Sequence, residues 1–285
     1  MSRIAYVMGR YVVHRDGGVS IEDRGFQFAD GVYEVIALTN GRFLDEAAHL
    51  ERLGRSLAEL RIVPPMSDRA LMQVMRETMR RNGLKNGSIY IQITRGSAPR
   101  EHGFPASLPP TVVMTAKRGK PVDPRLLQDG AKVILIPDIR WGRCDIKTVG
   151  LLPNTLGKQT AREAGAFEAW QVDRDGFVTE GTSTNAWMVN AAGEIITHPA
   201  NHRILGGVTR GSILALLRRE GLPISERPFT VDDLRGAGEA FLTSTISMVI
   251  PVVTVDGRAI GDGKPGPMTR RLQELYNAHA KETTA

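Results

Sequence analysis

The spacing of apolar positions changes several times along the chain, and each change marks an element. Ile4–Met8 and Tyr11–Val13 flank Gly9-Arg10, which predicts a hairpin. Phe28–Leu38 reads as a strand ended by Asn40-Gly41, a strong hairpin-turn pair. Leu50, Leu53, Leu57 and Leu60 then fall on one face of a helix that Pro64-Pro65 closes. Ser67 predicts the cap of a second helix, with Leu71, Val74, Met75 and Met79 facing inward and Asn82-Gly83 as its stop. Ile89, Ile91 and Ile93 alternate with Tyr90, Gln92 and Thr94, the signature of a half-buried strand, and Thr111–Ala116 reads as another.

The second half repeats the mixture. Val133–Ile136 reads as a short buried strand and Thr155–Ala164 as a helix. Ala169–Val172 with Phe177–Thr179, and Asn185–Val189 with Glu194–Thr197, read as hairpins around Asp175-Gly176 and Ala191–Gly193. Ile213, Leu214, Leu216 and Leu217 mark a helix. Glu239–Thr243 and Pro251–Val255 read as strands, and a last helix runs from about Met268 to His279. No regular strand–helix alternation appears, which disfavours a doubly wound nucleotide-binding fold. Lys117–Pro124, rich in Pro, Gly and charge, is the best linker. The expectation is therefore two α+β domains, 1–118 and 125–285, joined by a linker over 119–124.

Composition narrows the class without naming a function. The 285 residues are 41% hydrophobic and 24% charged, which excludes a disordered chain, a collagen-like fibre and a membrane bundle. Lys+Arg number 37 and Asp+Glu 31, a mild excess of +6 that acidic small molecules account for as well as nucleic acid does. The basic residues are scattered, and no helix-turn-helix, RNP or zinc spacing supports a nucleic-acid module. The single cysteine, Cys144, permits no internal disulfide and points to a reducing compartment. No run approaches the ~18 apolar residues of a membrane span. The start, MSRIAYVMGRYVV, lacks the continuous apolar core of a signal peptide. The expected setting is the cytoplasm. Six histidines and a single cysteine, with no CxxC spacing, lead to the expectation of no metal.

Several short patterns carry possible chemistry, each with a plainer reading beside it. Gly206-Gly207-Val208-Thr209 opens the Ile213 helix and offers backbone N–H groups to an anion, or is simply a glycine loop with a Thr cap. Thr243-Ser244-Thr245-Ile246-Ser247 follows a strand, where hydroxyls close around a phosphate or form an ordinary turn. Arg52 lies among the helix leucines, as a phosphate fork or a solvated arginine. Glu180 precedes small residues that leave room for a flat ligand. Lys147 is one lysine among many. Arg100 and His102, in a loop, form a carboxylate grip or a solvated pair. Together these groups suit a phosphate-bearing pyridine aldehyde: a lysine for the Schiff base, a carboxylate for the ring nitrogen, and donors for the phosphate.

Seven segments in order carry a family resemblance over nearly the whole chain. They are FADGVYEV (28–35), HLERL (49–53), TRGSAPREHGFP (94–105), DIKTVGLLPNTLGKQ (145–159), VTEGTSTN (178–185), ILGGVTR (204–210) and TSTIS (243–247). The chain resembles the class IV, fold-type IV aminotransferases that use pyridoxal 5'-phosphate, and among them the D-amino acid (D-alanine) aminotransferases. The resemblance implies an α+β fold-type IV enzyme, with a small N-terminal domain and a larger C-terminal cofactor-binding domain around a β-barrel-like core. It implies that Lys147 forms the Schiff base and that Glu180 pairs with the pyridine nitrogen. Arg52, Val208, Thr209, Ser244 and Thr245 match phosphate ligands, and Leu205 matches a leucine against the cofactor ring. Tyr33, Arg100 and His102 match the substrate carboxylate trap, with Val35, Ser183 and Ile246 near the substrate.

In similar enzymes the Arg and His of the trap cross from a partner subunit, so a homodimer is implied. The implied substrates are D-amino acids and 2-oxo acids, exchanged in ping-pong order, with no nucleic acid and no membrane. The other readings within this fold are an (R)-amine or branched-chain L-amino acid aminotransferase, or an aminodeoxychorismate lyase. Tyr33 with Arg100-x-His102 favours the D-amino acid enzymes. The chain departs from them at Ala37, where a lysine is common, and at Ile246 and Met248, which replace a threonine and a glutamate.

Overall fold

The computed structural model describes residues 3–120 and 122–284, so the expected linker 119–124 includes one position, Pro121, outside the described residues. Two units emerge. The first runs to Lys120 and takes in Ile146–Gly150; the second holds the chain up to Asp145 and Leu151–Glu282. The short segment that carries Lys147 is thus grouped with the first unit, although the chain on both sides of it belongs to the second.

The first unit contains β1 (Ile4–Val7), β2 (Arg10–Val13), α1 (Arg24–Phe28), β3 (Gly31–Thr39), β4 (Arg42–Phe43), α2 (Glu46–Glu59), α3 (Asp68–Arg81), β5 (Gly87–Thr94) and β6 (Thr111–Arg118). Its strands form one antiparallel sheet in the order β2-β1-β6-β5-β3-β4. Leu50, Leu53 and Leu57 of α2 and Leu71, Met75 and Met79 of α3 pack on Val32, Ile36, Ile89, Ile91 and Ile93, giving an apolar core on one face of the sheet. Ser67 caps α3 by accepting the Ala70 N–H, as its position predicts.

The strand expected from Phe28 begins three residues later. Asp23 caps α1 by accepting the Gly25 N–H, and Ala29 leaves the helix at φ 56°, so Phe28 ends a helix. Gly31 can then start β3 because a Cβ there would stand 2.9 Å from the Ile93 carbonyl oxygen. Helix α1 has one turn only, too short for its periodicity to register in the sequence.

The second unit contains α4 (Pro124–Gln128), β7 (Ala131–Pro137), α5 (Leu152–Glu163), β8 (Glu168–Val172), β9 (Val178–Gly181), β10 (Asn185–Val189), β11 (Ile195–Thr197), α6 (Val208–Arg219), β12 (Ile224–Glu226), α7 (Val231–Arg235), β13 (Glu239–Ser244), β14 (Met248–Val255), β15 (Arg258–Ala259) and α8 (Pro267–Thr284). Its sheet runs β12-β11-β10-β13-β14-β7-β8-β9, with β15 on β14, and curls as a half-barrel. Parallel pairs β14–β7 and β7–β8 sit within otherwise largely antiparallel pairing. Trp170, Val178, Phe229, Leu242 and Ile250 lie in its core.

Several boundaries differ from expectation here, two of them with a plain cause. Helix α5 starts at Leu152, not Thr155, because Pro153 occupies its first turn, where the missing N–H costs nothing. Strand β14 starts at Met248, not Pro251, since its register pairs Met248 with Ser244 directly across the hydroxyl turn. Among the described residues no helix is long and apolar enough to cross a membrane.

Candidate active site

On the first unit, the site is built on the face of β3 and β5 away from the helices. Side chains alternate across a strand, so Val32 and Ile36 enter the core while Tyr33 and Val35 point the other way. Cross-strand register sets Gln92 opposite Tyr33 and Tyr90 opposite Val35. The Tyr33 and Tyr90 rings lie 5.6 Å apart, and the Tyr90 hydroxyl donates to Gln92 Oε1 at 2.7 Å. Burial, with Tyr33 adding to it, pushes the Tyr90 phenol up to about 12.

Residues 146–150 run beside the start of β3. The Tyr33 N–H donates to the Lys147 carbonyl at 3.0 Å, and Val149 N–H to that of Gly31 at 3.1 Å. This backbone pairing stations Lys147 Nζ 4.3 Å from the centre of the Tyr33 ring. Among the described residues Nζ has no hydrogen-bond or ion-pair partner. An amine held in place without a hydrogen bond is suited to covalent work.

Behind that surface lies a buried charge cluster. Glu34 is fully buried and accepts from Arg52 Nε at 2.7 Å and Nη2 at 2.8 Å, and pairs with His49 Nδ1 at 2.8 Å. Burial opposes the Glu34 charge, but the Arg52 fork outweighs it and lowers the carboxyl from 4.5 to about 2, with help from His49 and Lys147. Burial also lowers the His49 imidazole. Arg52, expected at a phosphate, is thus in a two-point pair with Glu34. Because the folded pKa of Glu34 is depressed, its pairing contributes full stability above pH 4.5 and loses it as pH falls toward about 2. Glu34→Ala, which strands Arg52 and His49 in a dry setting, is expected to cost about 3–5 kcal/mol in chemical denaturation at neutral pH.

The loop after β5 carries Arg100 and His102, both exposed. Arg100 stands over the Phe28 ring at 4.7 Å and the His102 ring lies 5.3 Å from it, so Phe28 is their shared platform.

On the second unit, Glu180 of β9 is the focus. Its oxygens accept from the Leu205 N–H at 3.1 and 3.2 Å, from Asn185 Nδ2 at 3.0 Å, and from Arg140 Nη1. Arg140 is buried, which opposes its charge, yet its bonds to Asp138 and the field of Glu180 hold it firmly protonated. Thr179 Oγ1 completes this arrangement by donating to Asp138 at 2.8 Å. Leu205 therefore acts here through its backbone, fixing the carboxylate. Asn185 also donates to the Leu205 carbonyl at 3.0 Å.

Gly207 is the N-cap of α6 and has no side chain to cap it. A Cβ at Gly207 would fall 2.0 Å from Asn185 Oδ1. Val208 and Thr209, both buried, open the helix, and the Tyr276 hydroxyl meets Thr209 Oγ1 at 3.4 Å. Ser183 donates its hydroxyl to Glu168 at 2.9 Å. Ser244 pairs with Ser247 across the turn, Oγ to Oγ 2.7 Å, while Thr245 and the exposed Ile246 form its tip. Gly207→Ala is expected to push Asn185 off Glu180, at about 1–3 kcal/mol of stability in chemical denaturation.

The amino-transferase class IV family model matches residues 31–255. A D-alanine aminotransferase of Bacillus licheniformis is 44% identical over 277 residues, covering 96% of this chain and 96% of that protein. The Escherichia coli branched-chain amino acid aminotransferase superposes with a TM-score of 0.91 at 24% identity, covering 100% of this chain and 97% of that one, which fixes the fold. The branched-chain amino acid aminotransferase of T.th., solved with pyridoxamine 5'-phosphate, gives a TM-score of 0.89 at 26% identity, covering 99% of this chain and 95% of that one. The chain belongs to the class IV aminotransferases, enzymes that depend on pyridoxal 5'-phosphate.

The residues present fit that group. Lys147 Nζ stands without a polar partner among the described residues. Glu180 is a buried carboxylate oriented by three donors. The start of α6 is capped by a glycine where any Cβ would strike Asn185. Thr184 Oγ1, also near Glu180 in sequence, is buried with no hydrogen-bond partner among the described residues. Sequence reasoning does not single out Arg140, Asp138, Glu34, Tyr90 or Gln92. Tyr90 and Gln92 carry a signal, the polar half of the β5 alternation; Arg140 carries none.

Proposed function

We propose that this protein moves the amino group of D-amino acids, D-alanine among them, to 2-oxo acids such as 2-oxoglutarate, in ping-pong order. The observation that carries the reading is the 44% identity to a D-alanine aminotransferase across 96% of both chains, with Tyr33, Arg100 and His102 present together. When bound, pyridoxal 5'-phosphate supplies an aldehyde that condenses with amines and a ring that takes up electron density from the α-carbon.

The residues divide that work. Arg52, the first-turn N–H groups of Val208 and Thr209, and the hydroxyls of Ser244 and Thr245 hold the phosphate; the α6 dipole favours its charge. Glu180, kept in place by Leu205, Asn185 and Arg140, holds a proton on the ring nitrogen. Lys147 Nζ anchors the cofactor, then removes the substrate α-proton and returns it. Arg100 and His102 bind the substrate carboxylate with Tyr33, while Val35, Ser183 and Ile246 bound its side chain. Gripping the carboxylate on one side selects the enantiomer whose α-hydrogen faces Lys147.

The protein works as a homodimer in which Arg100 and His102 serve the partner's site. Exposed Phe104 of that loop, with exposed Ile21 and Phe26 on either side of Arg24, which bonds to the loop, supports such an interface. Its setting is the cytoplasm, in keeping with the lone Cys144, whose thiol burial pushes up to about 11.

A coupled assay of D-alanine with 2-oxoglutarate tests the reading by the release of pyruvate and D-glutamate. Arg100→Ala is expected to raise KM for D-alanine by about 10–100-fold, with kcat changed far less, because uniform carboxylate binding is lost. An unchanged KM contradicts the trap.

A further inference from the structure

Arg24 lies next to the first family segment and has no signal of its own, yet it is 2% exposed. Its guanidinium is used at every corner. Nε donates to Asp30 Oδ2 at 2.8 Å, Nη1 to the Glu101 carbonyl at 2.6 Å, and Nη2 to the His102 carbonyl at 3.2 Å. Its backbone N–H donates to the Gly96 carbonyl at 2.8 Å, so the anchor is itself anchored to the root of the same loop. Asp30 is shared with Arg95, whose Nε and Nη2 reach it at 2.7 and 3.0 Å. Arg95 in turn donates to the Leu60 and Arg61 carbonyls after α2, at 2.6 and 3.0 Å. The Phe28 ring lies 4.9 Å from the Arg24 guanidinium and 4.7 Å from that of Arg100.

We infer that Arg24 is the positioning residue of the Arg100–His102 loop: its buried fork fixes the carbonyls of Glu101 and His102 and thereby sets where the carboxylate-binding side chains stand. The inference rests on the reading of Arg100 and His102 as the substrate trap. The loop needs such a device. Residues 99–104 are exposed and carry no helix or strand, so little apolar burial holds them. A loop peptide is held in one orientation when its carbonyl meets a fixed donor, and charge-assisted donors are the strong ones. Only a planar guanidinium reaches a carboxylate and two carbonyls at once. A lysine ammonium is a point charge that follows Asp30 and releases the loop. Asp30 keeps Arg95 when Arg24 is replaced, so no buried carboxylate is stranded.

The test uses the cofactor-loaded enzyme with Arg24→Lys, Arg24→Gln, Arg100→Ala and the Arg24→Lys/Arg100→Ala double variant. Arg24→Lys is expected to raise KM for D-alanine and for 2-oxoglutarate about tenfold, because a small displacement of a binding group is costly. The visible cofactor band, the melting transition and kcat within about threefold are retained, since Arg24 touches none of the reacting groups. The double variant is expected to have a KM within about twofold of Arg100→Ala alone, because residues acting through one another are not additive. Three results overturn the inference: an unchanged KM in Arg24→Lys when Arg100→Ala raises it, additive effects in the double variant, or loss of the melting transition in both Arg24 variants. An unchanged KM in Arg100→Ala instead overturns the trap reading itself, and the inference with it.

Discussion

Lys147→Ala is expected to lower transamination by more than ~10⁴-fold while leaving the fold intact. General acid–base transfer alone contributes up to about 10⁴-fold, and the substitution removes the proposed covalent anchor as well. The fold loses little. The side-chain amine has no hydrogen bond or ion pair among the described residues, and its contact is the Tyr33 ring. A partly exposed contact of this kind contributes about 0.5–1 kcal/mol. The segment itself is held by backbone bonds to Tyr33 and Gly31 that alanine keeps. Rapid-mixing kinetics and thermal melting check both halves. Partial rescue by added methylamine is expected, because a free amine can carry the proton that Nζ carried. Turnover within tenfold of the parent protein removes Lys147 from the mechanism.

Glu180→Gln is expected to reduce kcat by about 10²–10³-fold, the order contributed by a positioned proton-holding group. Glutamine is nearly isosteric, but its amide cannot keep a cationic ring nitrogen protonated. It also presents NH₂ donors toward Arg140, Asn185 and the Leu205 N–H, all of which are donors in the native site. Cofactor is expected to be retained in large part, because the proposed phosphate contacts lie elsewhere. The readouts are kcat and the position of the visible band. Glu180→Asp, shorter but still anionic, is expected to fall between the two, and a kcat equal to that of the parent in Glu180→Gln contradicts the assigned role.

How far the sequence can be read depends on the range of the interaction. The Ile89–Ile93 alternation marks β5, and the Leu50–Leu60 spacing marks α2, because both periodicities are local. The Tyr33 face follows once Val32 and Ile36 are committed to the core. Lys147 and Glu180 stand out through ordered motifs and not through spacing, since each alone is a common residue type. The rest depends on contacts distant in sequence. Arg140 meets Glu180 through the pairing of β7, β8 and β9, 40 residues apart. Arg24 reaches carbonyls 77 and 78 residues away. Arg52 reads as a helix arginine or a phosphate fork, and its grip on Glu34 needs the packing of α2 on β3 to appear. A one-turn helix such as α1 is too short to register as a period, so Phe28 reads as part of the strand that follows it.

Glu34, behind Lys147, gives the site a fixed negative charge. It stays ionised down to about pH 2, so its charge does not change across the neutral range. pH dependence of turnover therefore reports groups other than Glu34.

The central claim is stereospecific amino transfer, and a single-turnover half-reaction tests it most directly. The cofactor-loaded protein is mixed with D-alanine or with L-leucine, without a 2-oxo acid, and the visible cofactor band is followed with the 2-oxo acid released. D-alanine is expected to discharge the band and release one equivalent of pyruvate per site, while L-leucine leaves the band in place. Discharge by L-leucine with D-alanine inert contradicts the account.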